Sequence, residues 1–281
     1  MRTVSIGGIL LDVNDGTSLR VVEDLPGWDD APDVRNGLQA KAQQDGDWDG
    51  TGFSDARTVG IAGLVQEATT QAAYAVLYQL AALRPQSLQE LVVVNDAIGS
   101  LSAMTRVTVS MKPVWDGDRS FEYTLTVTAP DPLKYGPPTF DTATLSTSTP
   151  GAGRIWPRVW PTDWGIPAGV TPGAVAVANA GTAAYWPRLR IAGPVTNPVV
   201  TLVESGAWVR FTGSLLAGQF LDLDMANRRV LLQGQVSVRQ NVSSAGDWLS
   251  VPPGGGSVTW SADGADPAAL LSVWGYEGSY N

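Results

Sequence analysis

The side chains of this sequence that could do chemistry are its carboxylates, because the chain contains no histidine and no cysteine. Without these two residue types there is no imidazole base, no thiolate nucleophile, no disulfide and none of the usual ligands for zinc. The lysines are Lys41, Lys112 and Lys134, and none of them belongs to a Ser-x-x-Lys motif of a serine nucleophile. Most kinds of catalysis are therefore excluded.

Carboxylates alone could still make a glycosidase, which needs only two of the 27 acidic residues of the chain. Many of the acidic residues, however, lie in segments typical of turns: Asp29, Asp30, Asp116, Asp118, Asp263 and Asp266. A catalytic pair with one raised pKa requires a closed cleft, and nothing in the pattern indicates one. We expect no catalytic residue and no cofactor, and we interpret the chain as a protein that is not an enzyme.

One acidic segment copies the first half of a calcium-binding loop. Asp45, Asp47 and Asp49 alternate, and Gly50 follows where such a loop turns sharply. The twelfth position, which should be a bidentate glutamate, is Ala56. The alternatives are a calcium site and a solvated acidic turn, and we favour the turn. We therefore predict no metal ligand.

Three tryptophans recur every fourth residue in a proline-rich strip, at Trp156, Trp160 and Trp164. Pro157 and Pro161 exclude a helix, so the strip is predicted to be extended. Exposed aromatic rings are buried at protein interfaces and also stack on sugars. We favour an interface with the protein's own surface or that of a neighbour, and contact with a glycan remains the alternative.

Four further tryptophans of the C-terminal region lie in or beside predicted strands. They are Trp208, Trp248, Trp260 and Trp274. A tryptophan in a strand usually faces the core, so we expect core packing for each of them, with a sugar-binding face as the alternative.

The net charge of −9 argues against nucleic acid as a partner, since no cationic surface could displace counterions from phosphates. No apolar run approaches the roughly 20 residues of a membrane helix, so we expect no membrane span. The N-terminus lacks the pattern of a signal peptide, and we expect the protein to be made and kept without one.

The first region, residues 1–135, is predicted to be α+β. Gly7-Gly8 separates two apolar segments as the turn of a hairpin, and apolar residues at helical spacing predict one helix from Thr69 to Leu83, ended by Pro85. The predicted strands are Arg57 to Gly63, Leu91 to Val94, Thr105 to Met111 and Phe121 to Thr128. A turn at Asp116-Gly117-Asp118 joins the last two into a long hairpin.

Residues 136–178 are rich in Pro, Gly, Ser and Thr, and we interpret them as a linker. In residues 179–281 short apolar segments recur about every 8–12 residues, which predicts a β-sandwich or barrel. Its predicted strands are Pro187 to Ile191, Pro198 to Val203, Trp208 to Phe211, Phe220 to Leu223, Arg229 to Leu232, Gln235 to Arg239, Val258 to Trp260 and Leu270 to Trp274. The expected fold is thus mainly β with one helix.

These segments together resemble a known family, the distal tail proteins of siphophages (Dit) and the related minor tail proteins of actinophages. In the first region the resemblance rests on the order of elements, on the Arg57-to-Gly63 segment, and on the exit Asp131-Pro132-Leu133-Lys134-Tyr135. In the second region it rests on Asn179-Ala180-Gly181, on Pro187 to Ile191, and on Ala217 to Asp224.

The resemblance implies an N-terminal tail-ring domain followed by a C-terminal β-sandwich similar to galectins or carbohydrate-binding modules. It also implies a structural protein of the virion that forms a ring, a homohexamer, at the distal end of the phage tail, within the baseplate. The partners implied are other copies of the chain, the tail tube protein, the tape measure protein and tail-associated lysins or receptor-binding proteins. The alternative is a glycan-binding module for host cell-wall polysaccharide that serves host attachment. The long hairpin and the helix are the expected ring contacts.

Overall fold

A computed structural model describes residues 2–83, 86–144, 173–246, 248–263 and 268–281. The chain divides into two compact units, which are treated separately. Unit 1 consists of Met1–Pro137 together with Tyr280–Asn281, and unit 2 consists of Pro138–Ser279. The expected fold, mainly β with one helix, is confirmed in the described part of the chain.

Unit 1 contains the single α-helix of the described residues, α1 (Thr70–Ala81), and most of its other elements are short strands. The strands are β1 (Arg2–Ile6), β2 (Ile9–Leu10), β3 (Val13–Asn14), β4 (Leu19–Asp24), β5 (Val34–Arg35), β6 (Gln39–Ala40), β7 (Asp47–Trp48), β8 (Phe53–Ser54), β9 (Arg57–Gln66), β10 (Gln89–Asn95), β11 (Gly99–Trp115), β12 (Ser120–Ala129) and β13 (Lys134–Tyr135).

The main sheet of unit 1 runs in the order β2-β1-β10-β11-β12-β9-β4-β3, and its strands pair antiparallel. The 17-residue strand β11 is its central element. Gly99 to Thr105 pair with β10, whereas Arg106 to Trp115 pair with β12. The pairing with β12 shifts register between Val107 and Lys112, as at a β-bulge. One strand therefore joins two halves of the sheet.

Local sequence explains the elements of unit 1. Gly7 and Gly8 have φ of +55° and +81°, which only glycine adopts readily, and they form the predicted two-residue turn between β1 and β2. Thr69 caps α1, since its Oγ1 accepts a hydrogen bond of 3.2 Å from the amide of Ala72. The predicted helix is confirmed, and Pro85 lies outside the described residues.

Every second residue of the central strands enters one core, as period-two burial requires. In β12 the side chains of Phe121, Tyr123, Leu125 and Val127 are buried, and the side chains between them are more exposed. Burial of a side chain of this size contributes roughly 1.5–3 kcal/mol. The buried face of α1, which includes Val76, packs into the same core.

Unit 2 contains only short strands and one 3-10 turn (Arg239–Asn241) in its described residues. The strands are β14 (Pro138–Thr144), β15 (Gly173–Val177), β16 (Arg188–Ala192), β17 (Val195–Thr196), β18 (Val199–Leu202), β19 (Trp208–Phe211), β20 (Ser214–Leu215), β21 (Phe220–Asp224), β22 (Arg229–Leu232), β23 (Val236–Ser237), β24 (Val242–Ala245), β25 (Gly256–Ser261) and β26 (Leu270–Tyr276), with β27 (Ser279–Tyr280) crossing into unit 1.

Two larger sheets form unit 2. The six-stranded sheet has the order β14-β26-β16-β21-β22-β23, and the five-stranded sheet has the order β15-β25-β18-β19-β24. Burial alternates along strands of both sheets, for example at Leu189 and Ile191 in the first and at Val258 and Trp260 in the second. Each sheet thus has one buried apolar face, as the sheets of a sandwich do. The likeness to galectins stays a prediction.

The expected linker differs from the structure at both ends. Pro138–Thr144 and Gly173–Val177 are edge strands of the two sheets of unit 2, paired with β26 and β25. Proline is tolerated at the first residue of an edge strand. In Pro138–Thr144 Ala143 is the one buried residue, and in Gly173–Val177 the exposed residues are both Ala, so neither segment shows an apolar–polar alternation in its sequence. Residues 145–172 lie outside the described part. The predicted strand Gln235 to Arg239 is wrong beyond Ser237, where the 3-10 turn follows.

A pair of glycine substitutions tests how closely the loop before β5 approaches β9. Gly27 and Gly46 both have left-handed φ, +85° and +87°, but a Cβ at Gly27 would collide with the backbone carbonyl of Thr58, whereas one at Gly46 would meet nothing within 4 Å. We expect Gly46→Ala to lower the free energy of unfolding by about 1 kcal/mol and Gly27→Ala to lower it by more than about 3 kcal/mol. Urea unfolding followed by circular dichroism measures both, and equal losses would contradict the close approach.

Candidate assembly surface

The most exposed part of unit 1 is a two-stranded ribbon, residues 33–55, which we call the arm. At its base β5 pairs with β8, further out β6 pairs with β7, and a turn closes the tip. Between the two pairs the backbones come together, since a Cβ on Gly50 would lie 3.0 Å from Gly37 Cα. The strands of the arm pair with no other strand among the described residues. The arm therefore has free edges on both sides.

The arm carries large apolar side chains that meet solvent. The exposed fractions are 68% for Val34, 50% for Leu38, 65% for Trp48 and 57% for Phe53. Val34 lies opposite Ser54 and Phe53 lies opposite Arg35, so the two apolar side chains point to opposite faces of the ribbon. Both faces of the arm therefore carry large apolar side chains in contact with solvent, a feature typical of interaction surfaces when such side chains are grouped.

The acidic segment forms the tip of the arm. Lys41 Nζ lies 5.3 Å from the centroid of the Trp48 ring, a cation–π contact, and the Lys41 amide donates to the Gly46 carbonyl at 3.2 Å. Asp45, Asp47 and Asp49 are all exposed. Among the described residues no group of three acidic side chains is placed to hold a metal ion.

A buried guanidinium holds the foot of the arm. Arg57 is only 2% exposed, and its Nη1 donates to the carbonyls of Gly27 (2.9 Å), Trp28 (3.1 Å) and Asp30, while Nε donates to the Pro132 carbonyl at 2.9 Å. Burial lowers the pKa of Arg57, and the nearby carboxylates oppose this effect. One side chain therefore fastens the 27–30 loop and the start of the exit segment to β9.

Lys134 adds a second cation to this cluster. Its Nζ donates to the Trp28 carbonyl at 3.0 Å and lies 5.7 Å from the centroid of the Trp28 ring. Burial, followed by the charge of Arg57, lowers the pKa of Lys134. The exit segment is closed on itself, since Tyr135 Oη donates to an Asp131 carboxylate oxygen at 2.6 Å. The residues that carry the resemblance at this exit are thus joined by direct hydrogen bonds.

The expected ring contacts, the long hairpin and the helix, meet through a row of aromatic side chains. The ring centroids are 6.2 Å apart for Tyr78 and Tyr74, 4.8 Å for Tyr74 and Trp115, and 5.1 Å for Trp115 and Phe121. The outer end of the row is solvent-exposed, since Tyr78 is 67% exposed. The row therefore runs from the surface of α1 into the core. Its exposed end could contact a neighbouring copy, and the role of the hairpin and the helix as ring contacts stays a prediction.

Three carboxylates that line a pocket of unit 1 accept hydrogen bonds from backbone amides. A cleft of about 390 Å³ is lined by residues that include Asp12, Asp24 and Asp30. Asp12 accepts from the amides of Val4 at 2.7 Å and Val22 at 2.9 Å. Asp24 and Asp30 each accept a backbone amide of the adjoining turn. Asp12 thus links β1 to β4, whereas Asp24 and Asp30 hold the turn that follows β4.

The tryptophans predicted from sequence have different positions. Trp156, Trp160 and Trp164 lie outside the described residues. Trp248 and Trp260 are buried, as expected, and Trp208 is half-buried. Trp274 is 38% exposed, so its prediction as a core residue is wrong. It lies on the face of β26 that alternates with the buried Leu271 and Val273, a distinction that requires the register of the strand.

No helix in the described part of the chain is long and apolar enough to cross a membrane. A comparison with curated protein sequences finds no match.

Family and structure comparisons agree with each other. Residues 180–270 match the family model of the siphovirus-type tail component, C-terminal domain. The crystal structure of the Dit (gp 19.1) protein of phage SPP1, described as a paradigm of the hub adsorption apparatus in phages that infect Gram-positive hosts, is similar over 100% of both chains, with 15% identity and a TM-score of 0.62. A chain of the phage P2 baseplate in its activated conformation with Ca is similar over 99% of both chains, with 10% identity and a TM-score of 0.52. These likenesses establish the fold over the whole chain.

Replacement of Arg57 tests the cluster at the foot of the arm. Arg57→Met keeps an unbranched apolar stem but leaves buried carbonyls without their donors, so we expect the free energy of unfolding to fall by about 3–5 kcal/mol. Arg35→Met is the matched control, because Arg35 is exposed and its ion pair with Asp55 is 3.7 Å long. We expect a change under about 0.5 kcal/mol for the control. Similar midpoints for both variants in urea unfolding would contradict the role of Arg57.

Proposed function

We propose that this chain, which has the Dit fold over its whole length and carries a C-terminal domain of the siphovirus-type tail component family, is the distal tail protein of a siphophage. It forms the hub that joins the tail tube to the tip of the tail, and its place is the distal end of the virion. The observation that carries the proposal is the agreement of the two comparisons, one on residues 180–270 and one on 100% of the chain. The role is structural and not catalytic.

The hub is a ring of identical copies, and we propose six. A ring closes surfaces that a monomer leaves open, because each copy offers one surface to the next and receives the same surface from the previous copy. The arm has the properties of such a surface. It has two free edges, apolar side chains on both faces, and a base fixed by Arg57.

The argument for the arm is energetic. An isolated two-stranded ribbon is marginal in water, and exposed apolar side chains gain free energy only when a partner covers them. A neighbouring copy supplies this cover in a ring. Because Val34 and Phe53 point to opposite faces, the arm makes contact on both sides and is enclosed, not laid flat on a neighbour. The arm replaces the long hairpin and α1 as the first choice of ring contact.

The remaining partners follow from the position of a hub. The tail tube protein and the tape measure protein lie on one side of the ring, and tail-associated lysins or receptor-binding proteins lie on the other. The strip of Trp156, Trp160 and Trp164 is proposed as a contact within this assembly, on the chain itself or on a neighbour, since buried aromatic rings are common at protein interfaces.

The mass of the protein in solution, measured by light scattering across a dilution series, tests the ring. We expect the wild type to form a species of about six monomer masses. The double variant Trp48→Asp/Phe53→Asp should be monomeric at the same concentrations, because it places charges where apolar contacts form. Val236→Asp is the control, since Val236 is 60% exposed in unit 2, and it should assemble like the wild type.

Two outcomes would contradict this proposal. A wild type that is monomeric at every concentration would overturn self-assembly of the ring in solution. A double variant that assembles like the wild type would contradict the assignment of the ring contact to the arm. The long hairpin and α1 would then be the preferred ring contact.

A further inference from the structure

The arm contains a dipeptide with a reactivity of its own. Asn36-Gly37 lies after β5 and before β6, between the two strand pairs of the arm, and both residues are exposed. It is the only place in the chain where glycine follows asparagine. Asparagine is thermally labile in proteins. It loses its side-chain amide most readily before glycine, because the freely rotating glycine backbone lets the next amide nitrogen approach the side chain.

The two reacting groups of this dipeptide are not held in place. The Asn36 side chain makes no hydrogen bond with any described residue, and the Gly37 amide nitrogen has no acceptor among them. No strand pairing fixes the dipeptide either, since β5 ends at Arg35 and β6 begins at Gln39. The Gly37 nitrogen can therefore move towards Asn36 Cγ without breaking a hydrogen bond of the fold.

Other asparagines of the chain are held by their side-chain amides. Asn95 Oδ1 accepts from the Ala97 amide at 2.9 Å, and Asn227 Nδ2 donates to an Asp224 carboxylate oxygen at 2.9 Å. Asn197 and Asn179 also use both ends of their amides in hydrogen bonds. Each of these bonds must break before the amide carbon can meet the next backbone nitrogen. We therefore expect these asparagines to react more slowly than Asn36.

Aspartate before glycine can close the same ring, but its carboxylate is ionised at neutral pH and resists attack by a nucleophile. Asp15-Gly16 shows this protection at its strongest. The Ser18 amide, the Thr17 hydroxyl and the Thr17 amide all donate to Asp15 Oδ1, and they hold the pKa of Asp15 at about 2. The amide of Asn36 is uncharged and has no such protection.

We propose that Asn36-Gly37 is a site of spontaneous deamidation, which limits how long an unassembled copy can still enter the ring. The Gly37 nitrogen loses its proton and attacks Asn36 Cγ, so that a bond forms between them and ammonia leaves. Water then opens the resulting five-membered succinimide at either carbonyl and gives aspartate or isoaspartate at position 36. The reaction consumes water alone and releases ammonia, so it needs no enzyme and no cofactor.

The effect on assembly rests on the proposed function, in which a neighbouring copy encloses the arm. Isoaspartate inserts one extra carbon into the main chain at the point where the two backbones of the arm meet, since a Cβ on Gly50 would lie 3.0 Å from Gly37 Cα. The outer strand pair is then displaced from the base of the arm. Both products also add a carboxylate, which is costly to enclose. In an assembled ring the enclosed arm loses its freedom to rotate, so the reaction slows.

Peptide mapping by mass spectrometry of the full chain, sampled during incubation at mildly alkaline pH, tests the site. We expect conversion at residue 36 to exceed that at Asn95 and to rise with pH, because the attacking nitrogen must lose a proton. An isoaspartyl methyltransferase identifies the isoaspartate product. Gly37→Ala should slow the conversion about tenfold or more, because a Cβ restricts the rotation that glycine allows. This Cβ would meet nothing nearer than Gly50 Cα at 3.9 Å, so the variant should fold normally.

Light scattering of aged samples tests the effect on assembly. Aged wild type should lose the ring species in proportion to its conversion, whereas Asn36→Gln, whose longer side chain closes such a ring far less readily, should assemble after the same incubation. The site is overturned if residue 36 stays unconverted or reacts no faster than Asn95. The effect on assembly is overturned if fully converted protein still forms rings. Fresh wild type that never assembles would contradict the proposed ring and this effect, while the mass measurement would still decide the site.

Discussion

The buried guanidinium of Arg57 is the constraint on which the rest of unit 1 depends. An arginine keeps its charge even when water is removed, so its burial is costly unless backbone or side-chain acceptors surround it. Four backbone carbonyls accept from its Nε and Nη1, three from residues 27–30 and one from Pro132, while Nη2 is buried without a hydrogen-bond partner. These bonds fix the loop from which the arm departs and the segment by which the chain leaves unit 1. The arm is thus held at its foot although its own residues bury almost nothing.

Much of the fold could be predicted from the sequence, wherever the signal is local. The Gly7-Gly8 turn, the helix capped by Thr69 and most strands of unit 2 follow from turn residues and periodicity. The arm strands were missed because both of their faces are exposed, so burial imposes no alternation. The cluster around Arg57 could not be predicted, because its hydrogen-bond partners are distant in sequence. Trp274 was assigned to the core because the alternation of residues along a strand does not reveal which of its two faces is buried.

The divided pairing of β11 has a consequence for how unit 1 unfolds. Its first half is hydrogen-bonded to β10 and its second half to β12. Opening either half of the sheet therefore also loosens β11, on which the other half depends. The two halves should exchange their amide protons at similar rates, as one cooperative unit. The amides of the arm, which pair only with each other, should exchange much faster until a neighbouring copy protects them. Solvent protection along the chain would then report assembly residue by residue.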